Sequence, residues 1–231
     1  MKQFILHILI CLIAFAAKAQ SFDSAQFHKD KLIFQDDFTD KKLNDNWKVE
    51  SEPIDKEPYS LQKNQLVLNT KGGITVWYKN KLSGNILIEY DRTVIMDSGA
   101  NDRLSDLNQF WMATDPQNKM FTRKGDFKEY DSLQMYYVGM GGNYNTTTRM
   151  RKYQNADLKI VGEFKDAPHL LQPNKTYHIK IIVQNGTSYF FVDGQQFFKY
   201  TDDKPFTEGW FAIRSTKSRQ VISALKIWQL K

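Results

Sequence analysis

Residues 130–153 read YDSLQMYYVGMGGNYNTTTRMRKY, the stretch of this chain densest in groups that grip a polar ligand. Tyr136 and Tyr137 close an alternating run, and Gly139, Gly141 and Gly142 then permit a tight turn or a close backbone approach. Asn143, Asn145, Thr146, Thr147 and Thr148 follow, and Arg149, Arg151 and Tyr153 end the segment. In a strand, Thr147, Arg149, Arg151 and Tyr153 share one face, because strand side chains alternate. A face with two guanidiniums, a hydroxyl and a phenol makes a poor core. It suits an oxygen-rich anionic ligand, since each Arg can fork onto a carboxylate. The same row also suits the solvated face of a sheet, because Thr and Tyr favour strands in any case.

Other reactive groups are scattered. Arg103, Asp106 and Asn108 sit in RLSDLNQFWMATDP, where strand alternation puts Asn108, Phe110 and Met112 on one face and Gln109, Trp111 and Ala113 on the other. Trp111, like Trp77, suits either a buried core or a platform on which sugar C–H faces stack. Arg214, in FAIRST, interrupts an apolar alternation and fits either a polar groove or a wet strand face. His169 follows Pro168 and is the best-placed candidate acid or base among His28, His169 and His178, none of which has metal-ligand spacing. Asp97, Asn101, Asp102 and Asp106 supply hard oxygens, so a calcium ion is conceivable, although the spacing fits no EF-hand loop. No other cofactor is indicated. Glu89 and Asp91 share a strand face as paired carboxylates can, but Val94 stands where the E-x-D-x-x-E of laminarinase-type glycosidases has its third acid. There is no G-x-S-x-G elbow and no phosphate loop.

The elements that would position these groups are strands. No long i, i+3, i+4 apolar pattern is present, and Ser21–Lys29 is the one weak helical stretch. Short runs of Val, Ile, Tyr, Phe and Trp bounded by Gly, Asn, Asp and Pro recur instead. They cover 32–38, 65–69, 73–80, 85–96, 107–114, 132–139, 146–154, 176–184, 188–192, 195–201, 209–215 and 220–230. Asn185-Gly186 and Asp193-Gly194 are the dipeptides that two-residue hairpins prefer. Residues 97–106 and 115–129 form the longest loops. An all-β, antiparallel two-sheet β-sandwich of jelly-roll type follows.

Residues 1–19 read as a secretory signal peptide: Lys2, an apolar run from Phe4 to Phe15, and Ala17-Lys18-Ala19 ahead of Gln20. Residues 20–231 then form a single β-sandwich domain. Cleavage removes Cys11, the only cysteine, which excludes thiol catalysis and cysteine-ligated zinc from the mature chain. The expected location is the periplasm or the exterior of a Gram-negative bacterium, with no membrane span in the mature protein. The formal charge of +6 falls to +4 without Lys2 and Lys18, and the lysines are too scattered to suggest nucleic acid.

The string GMGGNYNTTTRMRKY, with RLSDLNQFWMATDP and GWFAIRST, resembles a secreted, concanavalin A-like jelly-roll family of Bacteroidota, a domain family of unknown function. It is similar to YesU-type proteins encoded beside rhamnogalacturonan-degrading enzymes and, more distantly, to the 3-keto-disaccharide hydrolase domain. The resemblance covers residues 31–231 and implies breakdown of uronic-acid polysaccharides, with an acidic poly- or oligosaccharide as partner. In a uronate lyase, Arg or Asn neutralises the C6 carboxylate and a Tyr or His removes the C5 proton. Arg149, Arg151 and Asn145 are candidate neutralisers, and Tyr153, Tyr137 and His169 candidate bases. A hydrolase would add Asp106 as acid or base. Arg103, Asn108, Trp111, Asn143, Thr147 and Arg214 are the remaining candidates for holding the sugar. The competing class is a non-catalytic carbohydrate-binding module on the same fold.

Overall fold

β-Branched and aromatic runs between turn residues favour strands, and the computed structural model, which describes residues 26–231, contains thirteen. In order they are β1 (Lys29–Asp36), β2 (Trp47–Ser51), β3 (Tyr59–Gln62), β4 (Gln65–Ser83), β5 (Ile86–Val94), β6 (Leu107–Thr114), β7 (Gln134–Gly141), β8 (Thr147–Gln154), β9 (Asp157–Phe164), β10 (Thr176–Gln184), β11 (Thr187–Val192), β12 (Gln195–Thr201) and β13 (Glu208–Leu230). The expected signal peptide and most of the weak helical stretch lie outside the described residues; Lys29, at its end, opens β1.

Two long strands carry the architecture. β4 and β13 pair antiparallel from Ser83↔Glu208 to Leu66↔Ile222, so 65–69 with 73–80, and 209–215 with 220–230, are each one strand rather than two. Over its first half β13 also pairs with β6, extending one sheet through β7, β8 and β9. Beyond a register shift between Thr216 and Ser218 it pairs with β5, which leads through β10 and β11 to β12. Such a shift bends the strand, and so one strand serves both layers. Both predicted hairpins form, with positive φ at Asn185, Gly186, Asp193 and Gly194.

The main core lies between the layers. Ile88, Ile181 and Phe190 from one meet Trp111, Val138, Met150 and Ile213 from the other, all buried. A polar tie crosses the same space: Lys152 on β8 pairs with Asp202 at 2.7 Å, and Asp202 also accepts from Tyr136 at 2.6 Å. Burial pushes the Asp202 carboxyl up, but Lys152, Tyr136 and the Lys204 N–H outweigh it and hold the group below its usual range.

A second apolar cluster covers the outer face of the first sheet: Trp77, Phe110, Tyr130, Leu133, Met135, Tyr137, Tyr153 and Ala212. It is buried because the segment 115–133, carrying a short 3₁₀ turn at Phe127–Tyr130, folds over it. Glu50 on β2 locks that roof. It accepts from Trp77 Nε1 (2.8 Å), Tyr130 Oη (2.9 Å) and the Arg123 backbone N–H (2.8 Å), while Arg123 pairs with Asp115 at 2.6 Å.

Candidate functional site

Where the roof ends, the same sheet face opens into a cavity of about 200 Å³. Cross-strand register builds its floor. Arg214 on β13 stands opposite Asn108 on β6, Asn108 opposite Gly139 on β7, and Gly139 opposite Arg149 on β8. One step along, Tyr137 faces Arg151. Residues in register share a face, so a row read from four strands becomes one wall. Asp106, Gly142, Asn143, Thr147 and Thr216 rim it, and Phe127 closes it from the roof.

Gly139 leaves the space. A Cβ there would come within 2.7 Å of the Asp106 carboxylate and would collide with the Tyr137 hydroxyl. Around that gap runs a connected polar chain. The Tyr137 hydroxyl donates to Asp106 Oδ2 at 3.2 Å and accepts from Asn108 Nδ2 at 2.8 Å; Asn108 Nδ2 also donates to Asp106. Asn108 Oδ1 faces Arg214 Nη1 at 3.5 Å, and Arg214 Nη2 donates to the Gly125 carbonyl of the roof at 3.0 Å. Phe127 lies 4.8 Å from the Arg214 guanidinium, within cation–π range.

The charges are unbalanced. Arg149 pairs with Glu163, which also binds Lys165 at 2.9 Å. Arg151 and Arg214 have no ion-pair partner among the described residues, and the Nε of each is buried without a hydrogen bond. Burial pushes Arg214 below the ordinary arginine value, with Tyr130, Asp106 and Tyr137 opposing it. Arg151 is pushed down by burial too, but the Tyr153 hydroxyl, Tyr137 and Asp106 more than offset this, so its pKa is raised. Both therefore remain cations. Tyr137 is raised well above a free phenol, by burial first and then by the charge of Asp106. It is a proton donor at neutral pH.

The cavity brings together Asp106, Asn108, Tyr137, Asn143, Thr147, Arg149, Arg151 and Arg214, eight of the residues singled out from the sequence. Five others lie elsewhere. Tyr153 is fully buried, stacked on Tyr137 at 5.6 Å and accepting from Arg151 Nη1 at 3.3 Å, so it supports the wall rather than touching a ligand. Trp111 lies wholly in the inter-sheet core, its Nε1 on Ser188 Oγ at 3.2 Å, and is no sugar platform. His169 stacks on Phe164 at 3.7 Å and binds Asp166 at 2.8 Å; it does not line the cavity and is no base for it. Asn145 spends its amide on the backbone of Leu171. Arg103 binds Ser105 and the Thr216 carbonyl just behind the rim.

Phe127 and Thr216 carry no sequence signal, since roof and rim appear only when distant segments meet. Glu89 and Asp91 lie on β5 outside the cavity, bound to Lys29 at 2.6 Å and His178 at 2.7 Å. Asp102 caps its own loop through the Asp97 and Gly99 N–H groups and binds Arg219, whereas Asp106 faces the cavity. Among the described residues no group of three or more His, Cys, Asp or Glu is arranged to hold a metal, and no helix is long and apolar enough to cross a membrane.

Fold and site together define a concanavalin-like β-sandwich with a cationic cavity on one sheet. The chain belongs to the family described as a domain of unknown function, DUF6250, whose model matches residues 68–225. Among solved structures, it is similar to a Bacillus subtilis protein of unknown function with a galectin-like fold (15% identity, 88% of this chain and 98% of that one, TM-score 0.72). It is also similar to carbohydrate-binding module CBM66 from Bacillus subtilis (14%, 80% and 96%, TM-score 0.56) and to an endo-β-1,3-glucanase from Pyrococcus furiosus (10%, 87% and 95%, TM-score 0.61). At such identities the likeness is one of fold. No curated protein sequence matches the chain.

Proposed function

We propose that this is an exported carbohydrate-active protein whose cavity holds a uronic-acid unit of a polysaccharide or oligosaccharide and cleaves it by β-elimination. The carrying observation is a pair of guanidiniums without an ion-pair partner among the described residues, half-buried Arg151 and buried Arg214, each with its Nε buried and unbonded, beside the Asp106 carboxylate. A buried cation without a counter-ion is costly, and a bound carboxylate offsets that cost. Glucanase and carbohydrate-binding relatives in fold support a glycan, and the resemblance of residues 139–153 to proteins of rhamnogalacturonan utilisation supports an acidic one.

The chemistry uses four groups. Arg151 and Arg214 neutralise the C6 carboxylate and so acidify the C5 proton. Asp106 takes that proton, the C5–H electrons form the C4=C5 bond, and the C4–O4 bond breaks. The Tyr137 hydroxyl protonates the departing oxygen. Asp106 then returns its proton to Tyr137 across their 3.2 Å hydrogen bond, which restores both groups. Two-carboxylate hydrolysis is less favoured, because among the described residues Asp106 is the only carboxylic acid lining the cavity.

Incubation with pectic, ulvan-like and gum polysaccharides, following absorbance near about 235 nm together with reducing ends, tests this. Both signals rise for elimination, and Asp106→Asn lowers the rate about 100- to 10,000-fold while binding persists. Reducing ends alone mean hydrolysis. The second reading, a binding module, is favoured by the hydrogen bonds that already engage Asp106; binding by calorimetry with neither signal would establish it.

A further inference from the structure

The turn after β7 is left-handed. Gly141 (φ 89°), Asn143 (51°), Tyr144 (59°) and Asn145 (59°) all have positive φ, and Thr146 N–H closes the turn on the Gly142 carbonyl at 3.0 Å. Asn tolerates this region, but a bulky aromatic there is an outlier. The surroundings enforce it: Asn145 Nδ2 donates to the Leu171 carbonyl at 2.9 Å, and its Oδ1 accepts from the Leu171 N–H at 2.8 Å. The effect is display. Tyr144 is 82% exposed, the most exposed large hydrophobic side chain among the described residues, where the next, Ile54, is 58% exposed.

Its position is not arbitrary. Gly142 and Asn143, in the same turn, line the cavity. The Arg103 guanidinium lies 5.5 Å from the Tyr144 ring centroid and is itself held by Ser105 Oγ (3.0 Å) and the carbonyl of the cavity residue Thr216 (3.1 Å). An aromatic ring steadied by a cation at a cavity rim is a stacking surface. We propose that Tyr144 is the platform of a second subsite, packing on the apolar C–H face of the sugar adjoining the one in the cavity. The site then selects an oligosaccharide over a single residue. This rests on the glycan reading above.

Calorimetric titration of D-galacturonate, trigalacturonate and the neutral laminaritriose tests it, on wild type, Tyr144→Asn and Tyr144→Phe. Asn keeps the left-handed turn while removing the ring. Trigalacturonate binds wild type more tightly than galacturonate; Tyr144→Asn weakens the trisaccharide about 10-fold and the monosaccharide less than about 2-fold, and Tyr144→Phe restores it. Unchanged trisaccharide affinity in Tyr144→Asn overturns the platform and leaves the cavity reading standing. An equal loss for both acids also overturns it, because the turn would then only shape the cavity. Laminaritriose bound in a Tyr144-dependent way, with neither acid bound, keeps the platform and overturns the acidic ligand. Silence with all three overturns both.

Discussion

At the scale of single residues, the cavity exists because one side chain is missing. Gly139 has no positive φ requiring glycine, so Gly139→Ala acts through volume alone. The added methyl displaces Tyr137 and Asp106. It is expected to cost about 1–3 kcal/mol in stability, as overpacking does, and to abolish sugar binding; urea melts and calorimetry together check it. Unaltered binding would mean that the ligand sits elsewhere. Residue identity alone marked Arg149 and Arg151 as able to hold an anion, and Asn108 and Arg214 as able to hold a sugar. It left Tyr137 and Tyr153 equivalent, because both are phenols on neighbouring strands, and only packing hides one under the other.

Among elements, the roof is what makes half of a sheet face a core and the other half a site. Its anchor is Glu50, whose carboxylate meets donors from β4, from the 3₁₀ turn and from the Arg123 backbone. Glu50→Ala leaves these donors unpaired at about 1–3 kcal/mol apiece if they stay buried. A loss of about 3 kcal/mol and weaker ligand binding are expected, since Phe127 and the Gly125 carbonyl move with the roof. Equal urea midpoints for variant and wild type would show that the roof is held otherwise. Strand identity was legible where alternation is clean, as in β10, where Tyr177, Ile179 and Ile181 alternate with His178 and Lys180. It failed at the short β2 and β3 and at β9, whose Asp157, Lys159 and Glu163 blur the pattern and whose Asn155-Ala156 turn adopts φ 55° and 61° without a glycine. Alternation also breaks inside β6, where Met112 (φ 49°) bulges, so Trp111 and Met112 both enter the inter-sheet core.

For the whole molecule, the signal peptide expected from the sequence and its cysteine make a joint prediction. Exported protein is expected to begin at Gln20, read by intact mass, and its thermal midpoint to be the same with and without a reductant; a secreted form that keeps Cys11 would contradict it. The sequence by itself determined the all-β class, most strands, two hairpin turns and the cationic string at 143–153, because these depend on period-2 patterning and turn chemistry within a few residues. Tertiary structure alone decided that β4 and β13 are continuous, that the 115–133 segment is a roof, and that His169, Trp111 and Tyr153 stand outside the cavity while Phe127 and Thr216 line it. The reason is register. A site assembled from residues on four strands is fixed by pairings that no local pattern encodes.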